Sequence, residues 1–231
     1  MQKKPSLKPR PQRVRPALMH QIRIIGGQWK RTPLPVLDAD GLRPTPDRVR
    51  ETVFNWLSHL RDGHWEDAVC LDLFAGTGAL GFEAASRGAA KVVMVEESTA
   101  AARQLEATRV KLQAGQIEVV RGNALTVTQS LITRSSEGQF DLIFLDPPYH
   151  QQWLAKMLPL CRRLLAPGGV LYVEAEAALV TPHPAARTDQ AGLDATPAAD
   201  WLAGWEVVRA DRAGMVFYHL LQCGIGMEVK A

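Results

Sequence analysis

Residues 68–96 read "AVCLDLFAGTGALGFEAASRGAAKVVMVE", and the expected fold follows from this stretch. It begins and ends with short, nearly continuous apolar runs, "AVCLDLF" and "AKVVMVE". Such runs are typical of strands that are buried on both faces of a parallel sheet. The glycine-containing turn and the Ala-rich segment between them favour a helix that connects the two strands. The stretch therefore predicts one strand-helix-strand unit.

The same alternation continues along the chain. Further strand-like runs are "IEVVRG" (117–122), "FDLIFLD" (140–146) and "GVLYVEA" (169–175), and helical stretches at 98–113 and 152–166 lie between such runs. Strands that alternate with helices form a sheet that is covered on both faces. We therefore expect a doubly wound α/β domain with a mostly parallel sheet.

The last part of the chain follows a different pattern. Residues 205–222, "WEVVRADRAGMVFYHLLQ", read as two strands joined by a short Asp-Arg-Ala-Gly connection (211–214) without a helix. They predict a C-terminal antiparallel hairpin on the sheet. The Ala- and Pro-rich segment from about 181 to 200 reads as a loop or insertion without residues that suggest chemistry.

The segment before the α/β region predicts a hairpin followed by a helix. Two short apolar stretches within "IRIIGGQWKRTPLPV" favour a β-hairpin, in which Pro33 and Pro35 restrict the second strand to an edge. Cap-like Thr45 or Asp47 then precedes four apolar residues at helical spacing, at positions 49, 53, 54 and 57. We therefore expect an amphipathic helix at about 47–60.

Charge is distributed unevenly along the chain. The whole chain has 27 basic and 24 acidic residues, and residues 1–37 hold nine Lys or Arg and no acid, so the remainder carries 18 basic against 24 acidic residues. Residues 1–20 combine this charge with Pro and few apolar groups, and we expect this basic arm to be disordered in isolation. A cationic arm favours contact with the phosphate backbone of a nucleic acid, and a solubilising tail is the alternative.

Composition bounds the class of protein. The 231 residues are 46% hydrophobic and 22% charged, which fits one globular domain with an extension. No apolar run approaches the roughly 20 residues that a membrane span needs, and the N-terminus lacks the apolar region of a signal peptide. Three distant Cys and six His without metal-ligand spacing indicate structural thiols and no metal site. We therefore expect a soluble, cytoplasmic protein that binds neither a membrane nor a metal.

A ligand site is expected where the first strand of the α/β region ends, because ligands bind at the carboxyl ends of such strands near the topological switch point. Gly76, Gly78 and Gly81 form a Gly-x-Gly-x-x-Gly pattern that allows a ligand to approach backbone amides closely. Glu96 ends the next strand, twenty positions after Gly76, where its carboxylate can accept both hydroxyls of a ribose. The pattern predicts a nucleoside-containing cofactor, either NAD or S-adenosylmethionine.

Two further residues bear on the choice of cofactor. Asp72 lies four residues before the first glycine, within a strand where a dinucleotide-binding protein usually has an apolar residue. A carboxylate there suits a cofactor with a cationic amino-acid group, which favours S-adenosylmethionine, although a hydrogen-bonded acid at a strand end is the simpler alternative. Asn123 follows the third strand of this region and is placed to hydrogen-bond an adenine edge, although an Asx turn explains the same residue.

The run "FDLIFL" stops on Asp146, Pro147, Pro148 and Tyr149. Asp146 and the Pro147 carbonyl can accept the two hydrogens of an exocyclic amine on a base, whose lone pair is otherwise delocalised into the ring. The prolines hold that carbonyl without offering a competing amide hydrogen, and Tyr149 can stack on a base drawn out of its helix. Alignment and electrostatics then supply most of the acceleration, and no strong general base is required. A strand-ending turn with an incidental Asp is the alternative.

These four residues resemble the [Asp/Asn]-Pro-Pro-[Tyr/Phe/Trp] motif of amino-group methyltransferases. With "GLRPTPDRVRETVFNWL" (41–57), "CLDLFAGTGALGFEAASRGA" (70–89), "VVMVEES" (92–98) and "GNA" (122–124), the chain resembles the bacterial 16S ribosomal RNA guanine-N2 methyltransferase family over about residues 21–176. The stretch 41–57 is the specific part of this resemblance. It implies a Rossmann-like class I methyltransferase sheet and methyl transfer from S-adenosylmethionine to a guanine N2 of small-subunit ribosomal RNA. It also implies a monomer that acts on a 30S particle or assembly intermediate.

The resemblance further implies which residues act and how the chain is divided. Asp146, Pro147, Pro148 and Tyr149 would hold the guanine. The cofactor cleft would consist of Asp72, Phe74, Ala75, Gly76, Thr77, Gly78, Gly81, Glu96, Asn123, Ala124 and Asp146. The substrate RNA would contact Lys30, Arg31, Arg43, Thr45, Arg48 and Tyr149. The divisions are the basic arm (1–20), a hairpin-helix extension (21–62), the methyltransferase domain (63–223) and a tail (224–231).

One departure from the family pattern follows the second strand of the α/β region. The pattern often continues as Glu-x-Asp, whereas this chain has Glu96-Glu97-Ser98, which leaves Ser98 to cap the next helix. The predicted ribose contact of Glu96 is unaffected.

Three alternative functions remain open at this point. An adenine-N6 methyltransferase of DNA or RNA would use the same Asp-Pro-Pro-Tyr chemistry, although 231 residues leave little room for a separate target-reading domain. A noncatalytic RNA-binding assembly factor with this fold would be expected to lack Asp146 or the glycine loop, and both are intact. An NAD oxidoreductase would share the glycine loop, and the fold alone excludes none of the three.

Overall fold

The computed structural model describes residues 22–36, 45–134, 138–149, 152–179 and 200–224. The basic arm, Arg43, nearly all of the predicted 181–200 insertion and the tail after Gly224 lie outside these described residues.

The described residues form nine strands and five α-helices. In chain order these are β1 (Ile22–Arg23), β2 (Pro33–Leu34), α1 (Asp47–Leu60), β3 (Val69–Asp72), α2 (Ala79–Ser86), β4 (Lys91–Glu96), α3 (Thr99–Lys111), β5 (Ile117–Arg121), α4 (Ala124–Arg134), β6 (Phe140–Leu145), α5 (Trp153–Leu164), β7 (Leu165–Ala175), a 3-10 turn (Asp200–Leu202), β8 (Trp205–Ala213) and β9 (Val216–Cys223). The first two strands form the predicted N-terminal hairpin.

The other seven strands form one sheet in the order β5-β4-β3-β6-β7-β9-β8. Strands β3 to β7 run parallel, whereas β9 is antiparallel to β7 and β8 is antiparallel to β9. The predicted mostly parallel α/β sheet with a C-terminal antiparallel hairpin is confirmed. After β5 the chain crosses to the other side of β3, so the topological switch point lies between β3 and β6.

Alternate residues of each strand face opposite helical layers, as the period of a strand requires. Cys70, Phe144 and Tyr172 pack in one layer with Phe54 of α1 and Phe82 of α2. The opposite layer contains the apolar residues of α4 and α5 together with Leu71, Leu73, Ile143, Leu145 and Val173. Positions 72, 146 and 174 lie two residues after Cys70, Phe144 and Tyr172. Their side chains therefore lie on the same face of the sheet as α1.

The helix predicted at about 47–60 is α1, and its apolar stripe is buried (Val49, Val53, Phe54 and Leu57). The predicted cap is wrong, because Pro46 occupies the N-cap position and no side chain caps the helix. Asp47 instead accepts from Arg23 Nε at 2.9 Å and from Arg50 Nη2 at 2.7 Å. Asp47 is the first residue of α1, and both oxygens of its carboxylate are engaged by the guanidinium groups of Arg23 and Arg50.

The β8–β9 connection is shorter than predicted. Ala213 pairs with Val216, which leaves only Gly214 and Met215 in the turn and places the Asp-Arg-Ala of the predicted connection within β8. A two-residue hairpin turn requires a positive φ that glycine adopts without strain, and Gly214 has φ +64°.

A buried carboxylate joins the N-terminal hairpin to α2. Glu83 is 0% exposed, and its two oxygens accept from the backbone N–H of Ile25 at 2.6 Å and of Gly26 at 2.8 Å. Arg87, one turn along α2, donates from Nε to the same carboxylate at 2.8 Å. The hairpin is therefore fixed to the second half of α2, away from the glycine loop that precedes this helix.

Within the described ranges, no helix has both the length and the apolar character needed to cross a membrane. The same residues contain no group of three or more His, Cys, Asp or Glu side chains suited to hold a metal ion. Cys70 and Cys161 are buried and Cys223 is partly buried, and all three are free thiols.

Candidate active site

The register of the central strands brings three carboxylates to one edge of the sheet. Asp72 pairs with Phe144, two residues before Asp146. Leu145 pairs with Val173, so Asp146 and Glu174 follow paired positions on adjacent strands. The three acids therefore meet at the switch point, at the strand ends where a ligand site was predicted.

Asp72 is tied to the glycine loop. The side chain is only 2% exposed, and Oδ2 accepts from the Gly81 N–H at 3.1 Å. Burial raises the pKa of Asp72 to about 7, the nearby Glu96 charge also raises it, and backbone hydrogen bonds from Gly81 and Phe74 oppose the increase. A cation bound beside Asp72 would favour its ionised form.

The loop glycines are required for close packing. Gly78 has φ +79°, and a Cβ there would lie 2.5 Å from Phe82 and 2.6 Å from Leu105. A Cβ at Gly81 would lie 2.5 Å from Met94 and 3.2 Å from Asp72 Oδ2. A side chain at Gly78 would therefore clash with Phe82 and Leu105 and strain the backbone, and one at Gly81 would require Met94 to move.

Glu96 lies at the end of β4 and holds the two loops beside it. Its Oε2 accepts from the Gly76 N–H at 2.8 Å and its Oε1 from the Ser98 N–H at 2.7 Å. Each carboxylate oxygen has about two lone-pair positions, so one on each remains for ribose hydroxyls. Ser98 is the N-cap of α3 and accepts from the Ala101 N–H, as the sequence predicted.

Asn123 forms the Asx-type contact that was the alternative to adenine recognition. Its Oδ1 accepts from the Leu125 N–H at 3.0 Å at the start of α4, and its Nδ2 lies 3.4 Å from Glu97 Oε1. The backbone of Asn123 and the buried Ala124 follow β5 and lie at the same sheet edge as Glu96, whose carbonyl accepts from the Gly122 N–H.

Asp146 belongs to a cluster of oxygen atoms. Thr45 Oγ1 lies 2.6 Å from Glu174 Oε1 and 3.4 Å from Asp146 Oδ2. The Tyr172 hydroxyl donates to the same Glu174 Oε1 at 2.7 Å. Thr45 and Glu174 are 6% and 4% exposed. Thr45, two residues before α1, therefore links the residue that follows β6 to Glu174 of β7.

Burial dominates the electrostatics of this cluster. It raises the pKa of Asp146 well above its usual range, and the neighbouring Glu174 and Asp72 charges raise it further. It also raises the pKa of Glu174, against the hydrogen bonds from Thr45 and Tyr172. No Arg or Lys of the described ranges forms a salt bridge with any of the three acids. The cleft is therefore suited to a cationic ligand.

The segment after Asp146 contacts the glycine loop. Pro147 is buried, Pro148 is exposed and Tyr149 is partly buried. Phe74, which follows β3, packs edge-on against Trp153 at the start of α5, with ring centroids 5.1 Å apart. Ala75 and Thr77 belong to the same loop, and the Ala75 N–H donates to Val95 at 2.9 Å. The loop after β3 is therefore in contact with the start of α5, close to the segment that follows Asp146.

The predicted RNA-contacting residues are divided between two places. Thr45 lies in the cleft and Arg48 one turn away on α1, where Arg48, Thr52, Asp211, Arg212, Ala213 and Tyr218 line a cavity of about 250 Å³. Lys30 and Arg31 are exposed in the hairpin turn beside Ser86, at the far end of α2 from the glycine loop. The structure therefore does not bring Lys30 and Arg31 to the cleft.

Sequence reasoning missed Glu174, Tyr172 and Arg212. A signal for Glu174 was present, because an acid that ends a buried strand also marks Asp72, Glu96 and Asp146. Tyr172 precedes Glu174 by two residues and therefore shares its face of β7. Arg212 had no such signal, because it was assigned to the connection between the last two strands.

Comparison with known proteins agrees with this geometry. The family model described as "Conserved hypothetical protein 95" matches residues 22–190. Ribosomal RNA small subunit methyltransferase D of Escherichia coli K12 is 40% identical over 204 residues, which cover 87% of this chain and 90% of that protein. The protein of the same name from Haemophilus influenzae is 35% identical over 208 residues, which cover 87% and 94%.

A solved structure of a related protein is also similar to this chain. The proposed methyltransferase yhhF of Escherichia coli matches with a TM-score of 0.68 at 36% sequence identity, over 88% of this chain and 98% of that chain. The family resemblance drawn from the motifs is confirmed. This chain belongs to the family of conserved hypothetical protein 95, together with the ribosomal RNA small subunit methyltransferase D proteins.

Proposed function

We propose that the protein transfers a methyl group from S-adenosylmethionine to the exocyclic N2 of a guanine in small-subunit ribosomal RNA. The observation that carries this proposal is the position of Asp146 to Tyr149 at the end of β6, beside the switch point and the glycine loop. Relatives named for methylation of small-subunit ribosomal RNA support the choice of substrate.

The residues of the cleft fit S-adenosylmethionine. This cofactor carries sulfonium and ammonium cations. Asp72 is a buried acid and Asp146 a half-buried one, and neither has a salt-bridge partner in the described ranges. Gly78 forms the tight turn of the glycine loop at φ +79°, and Glu96 beside this loop retains acceptor positions for a ribose. Bound there, the cofactor supplies a methyl group that is activated by the positive charge on sulfur.

Asp146 and the Pro147 carbonyl would hold the amine. Each accepts one of its two hydrogens, which draws the nitrogen lone pair out of conjugation with the ring and aims it at the methyl group. Tyr149 would stack on the ring face of the flipped base. Such alignment in a preorganised site accounts for acceleration without a strong base.

The assignment to guanine N2 rests on the resemblance carried by residues 41–57, because Asp-Pro-Pro-Tyr chemistry serves an adenine N6 equally well. We further infer that residues 63–223 are the methyltransferase domain and residues 21–62 its extension. The substrate is a 30S particle or an assembly intermediate, and the protein acts as a monomer in the cytoplasm, where ribosomes assemble.

The test is methyl transfer from labelled S-adenosylmethionine to small-subunit particles that lack the modification, followed by nucleoside analysis. We expect labelled N2-methylguanosine, with more label on particles than on naked 16S RNA. Label in N6-methyladenosine would support methyl transfer to an exocyclic amine but contradict the assignment to guanine N2. Tight binding of the cofactor without label on either RNA would contradict the proposed function.

Replacing Glu96 with Ala is expected to weaken S-adenosylmethionine binding about 10- to 100-fold, because hydrogen bonds to a charged group are worth about 1.5–3 kcal/mol. Loss of the Gly76 N–H contact would loosen the glycine loop as well. Isothermal titration calorimetry measures the affinity. The matched control is Glu118→Ala, an exposed acid of β5, which should change the affinity by no more than about twofold. Unchanged binding by Glu96→Ala would remove Glu96 from the cofactor site.

Arg48 and Arg212 line the cavity beside the cleft and are proposed to contact RNA phosphates. Replacing either with Ala should reduce the slope of log affinity against log salt by about 0.7–0.9, the value for one lost phosphate contact. Filter binding to 16S RNA at several salt concentrations measures the slope. The control is Arg103→Ala, because Arg103 is exposed on α3. Helix α3 contacts β4 and β5, at the opposite edge of the sheet from β8. An unchanged slope in both cavity variants would contradict the assignment.

A further inference from the structure

The contacts of Thr45 are unequal, and this inequality orients its hydroxyl. Thr45 Oγ1 lies 2.6 Å from Glu174 Oε1 but 3.4 Å from Asp146 Oδ2. A hydroxyl has one hydrogen and two lone pairs, so it can donate to only one of these two carboxylates at a time. The shorter contact takes the hydrogen, and a lone pair of Thr45 then faces Asp146.

Glu174 is held in place to accept that hydrogen. Its Oε1 also receives the Tyr172 hydroxyl at 2.7 Å, and β7 positions both residues because they lie two apart on one strand. Two short hydrogen bonds from hydroxyl groups favour the ionised carboxylate. Burial opposes this effect and raises the pKa of Glu174, so the geometry defines Glu174 as a fixed acceptor of both hydroxyl hydrogens.

We propose that Glu174 is a positioning residue for methyl transfer, which holds the Thr45 hydroxyl so that Asp146 can receive and retain the proton that the amine loses. This inference rests on the proposed function. Glu174 has no contact with the base in this role, because it acts only through Thr45.

The proton balance of the step is simple. The bond from nitrogen to the methyl carbon forms as the carbon–sulfur bond of the donor breaks, and the positive charge moves from sulfur to nitrogen. One N–H bond then breaks, its electron pair stays on nitrogen, and its proton goes to the Asp146 carboxylate. Protonated Asp146 can donate from Oδ2 to the lone pair of Thr45, and this hydrogen bond is absent while Asp146 is ionised.

The surrounding charges support this order of events. The titratable groups around Asp146 and Glu174 are Asp72 on β3, Tyr172 on β7 and Tyr218 on β9, which lies opposite Glu174 in the sheet. These three groups are acids, whereas the buried Arg50 of α1 donates from Nε to the Thr45 carbonyl at 3.4 Å. Burial together with the Glu174 charge raises the pKa of Asp146. Proton uptake by Asp146 is therefore favoured by its surroundings, whereas a bound cationic cofactor would keep it ionised before the reaction.

A double-mutant cycle tests the link through Thr45. Glu174→Ala and Thr45→Val should each lower kcat about 10- to 100-fold, the scale of a misplaced reacting group, with little change in KM for RNA or in cofactor affinity. The double variant should be no slower than Thr45→Val alone, because Glu174 acts through the missing hydroxyl. Glu176→Ala, an exposed acid two residues further along the chain, is the matched control and should have the wild-type rate.

If Glu174→Ala does not fold, a charge-neutral variant tests the same role of Glu174. Glu174→Gln keeps an acceptor for both hydroxyls but removes the charge that raises the pKa of Asp146. The acid limb of the kcat profile should therefore move to lower pH. Carboxyl carbon NMR of labelled Asp, with Asp146→Asn to identify the signal, should show the same fall in the pKa of Asp146 without any turnover.

The outcomes separate this inference from the proposed function. Wild-type protein that fails to methylate any small-subunit substrate would overturn the proposed function, while the NMR titration would still test the pairing of Glu174 with Asp146. In an active enzyme, additive losses in the double variant, or an acid limb that does not move in Glu174→Gln, would overturn the positioning role.

Discussion

Replacement of Asp146 with Ala is expected to lower the rate of methyl transfer at least about 100-fold, the scale of losing one group that acts chiefly on the transition state. Asp146 is the charged acceptor proposed for the amine, and no other carboxylate of the described residues follows β6. Cofactor affinity should fall less than the rate. The measurement is single-turnover methyl transfer to small-subunit particles, with affinity measured separately by calorimetry.

The same variant should unfold at an unchanged or higher denaturant concentration. Burial and like charges raise the pKa of Asp146 in the folded protein, so the wild type loses stability relative to Asp146→Ala as the pH rises through that raised pKa. The difference should shrink in acid, where the carboxyl is protonated in both states. Asp67→Ala, at an exposed acid, serves as the control for both rate and stability. Wild-type rates in a folded Asp146→Ala protein would remove Asp146 from the chemistry.

Replacement of Glu83 with Ala is expected to reduce the free energy of unfolding by about 3–5 kcal/mol, the usual cost of breaking a buried ion pair. The fully buried carboxylate accepts from Arg87 and from the backbone N–H groups of Ile25 and Gly26. Its removal would leave these three donors without that acceptor and release the N-terminal hairpin from α2. Urea denaturation followed by far-UV circular dichroism measures the loss.

An exposed ion pair provides the matched control. Glu118 on β5 lies 3.1 Å from Lys91 on β4, and the two side chains are 56% and 53% exposed. Glu118→Ala should therefore cost only about 0–1 kcal/mol. Equal losses in the Glu83 and Glu118 variants would show that the hairpin does not depend on Glu83. Glu83→Gln should be intermediate, because the amide oxygen can still accept one of the backbone hydrogens.

Most of the sheet could be predicted because buried parallel strands leave a local signature. The central residues of β3, β4, β6 and β7 form short apolar runs, whereas β5 also contains Glu118 and Arg121. Helix α1, which precedes these strands, was also predicted, from the helical spacing of its apolar residues. The sequence pattern predicted the ends of the helices less well than their positions. Asp47 was free in the sequence to cap α1, and only the approach of Arg23 and Arg50 gave its carboxylate other partners.

The candidate site was predictable where its residues lie together in the chain. The glycine loop with Asp72 and the segment from Asp146 to Tyr149 each follow a strand, and parallel strands must end at a common edge. The prediction that Lys30 and Arg31 contact RNA did not place these residues relative to the cleft. The tertiary fold places the hairpin turn at the far end of α2, because Glu83 and Ser86 bind its backbone there.

The amino-acid sequence alone therefore determined the order of strands and helices, the glycine loop and the Asp-Pro-Pro-Tyr segment that follows β6, because each depends on residues that are close along the chain. Only the tertiary structure decided the contacts of Asp146. Thr45 is 101 residues away from Asp146 and 129 from Glu174, and no local periodicity links them. They meet because α1 packs over β6 and β7 and because the register of these strands places residue 174 beside residue 146. Such contacts depend on packing across the whole domain.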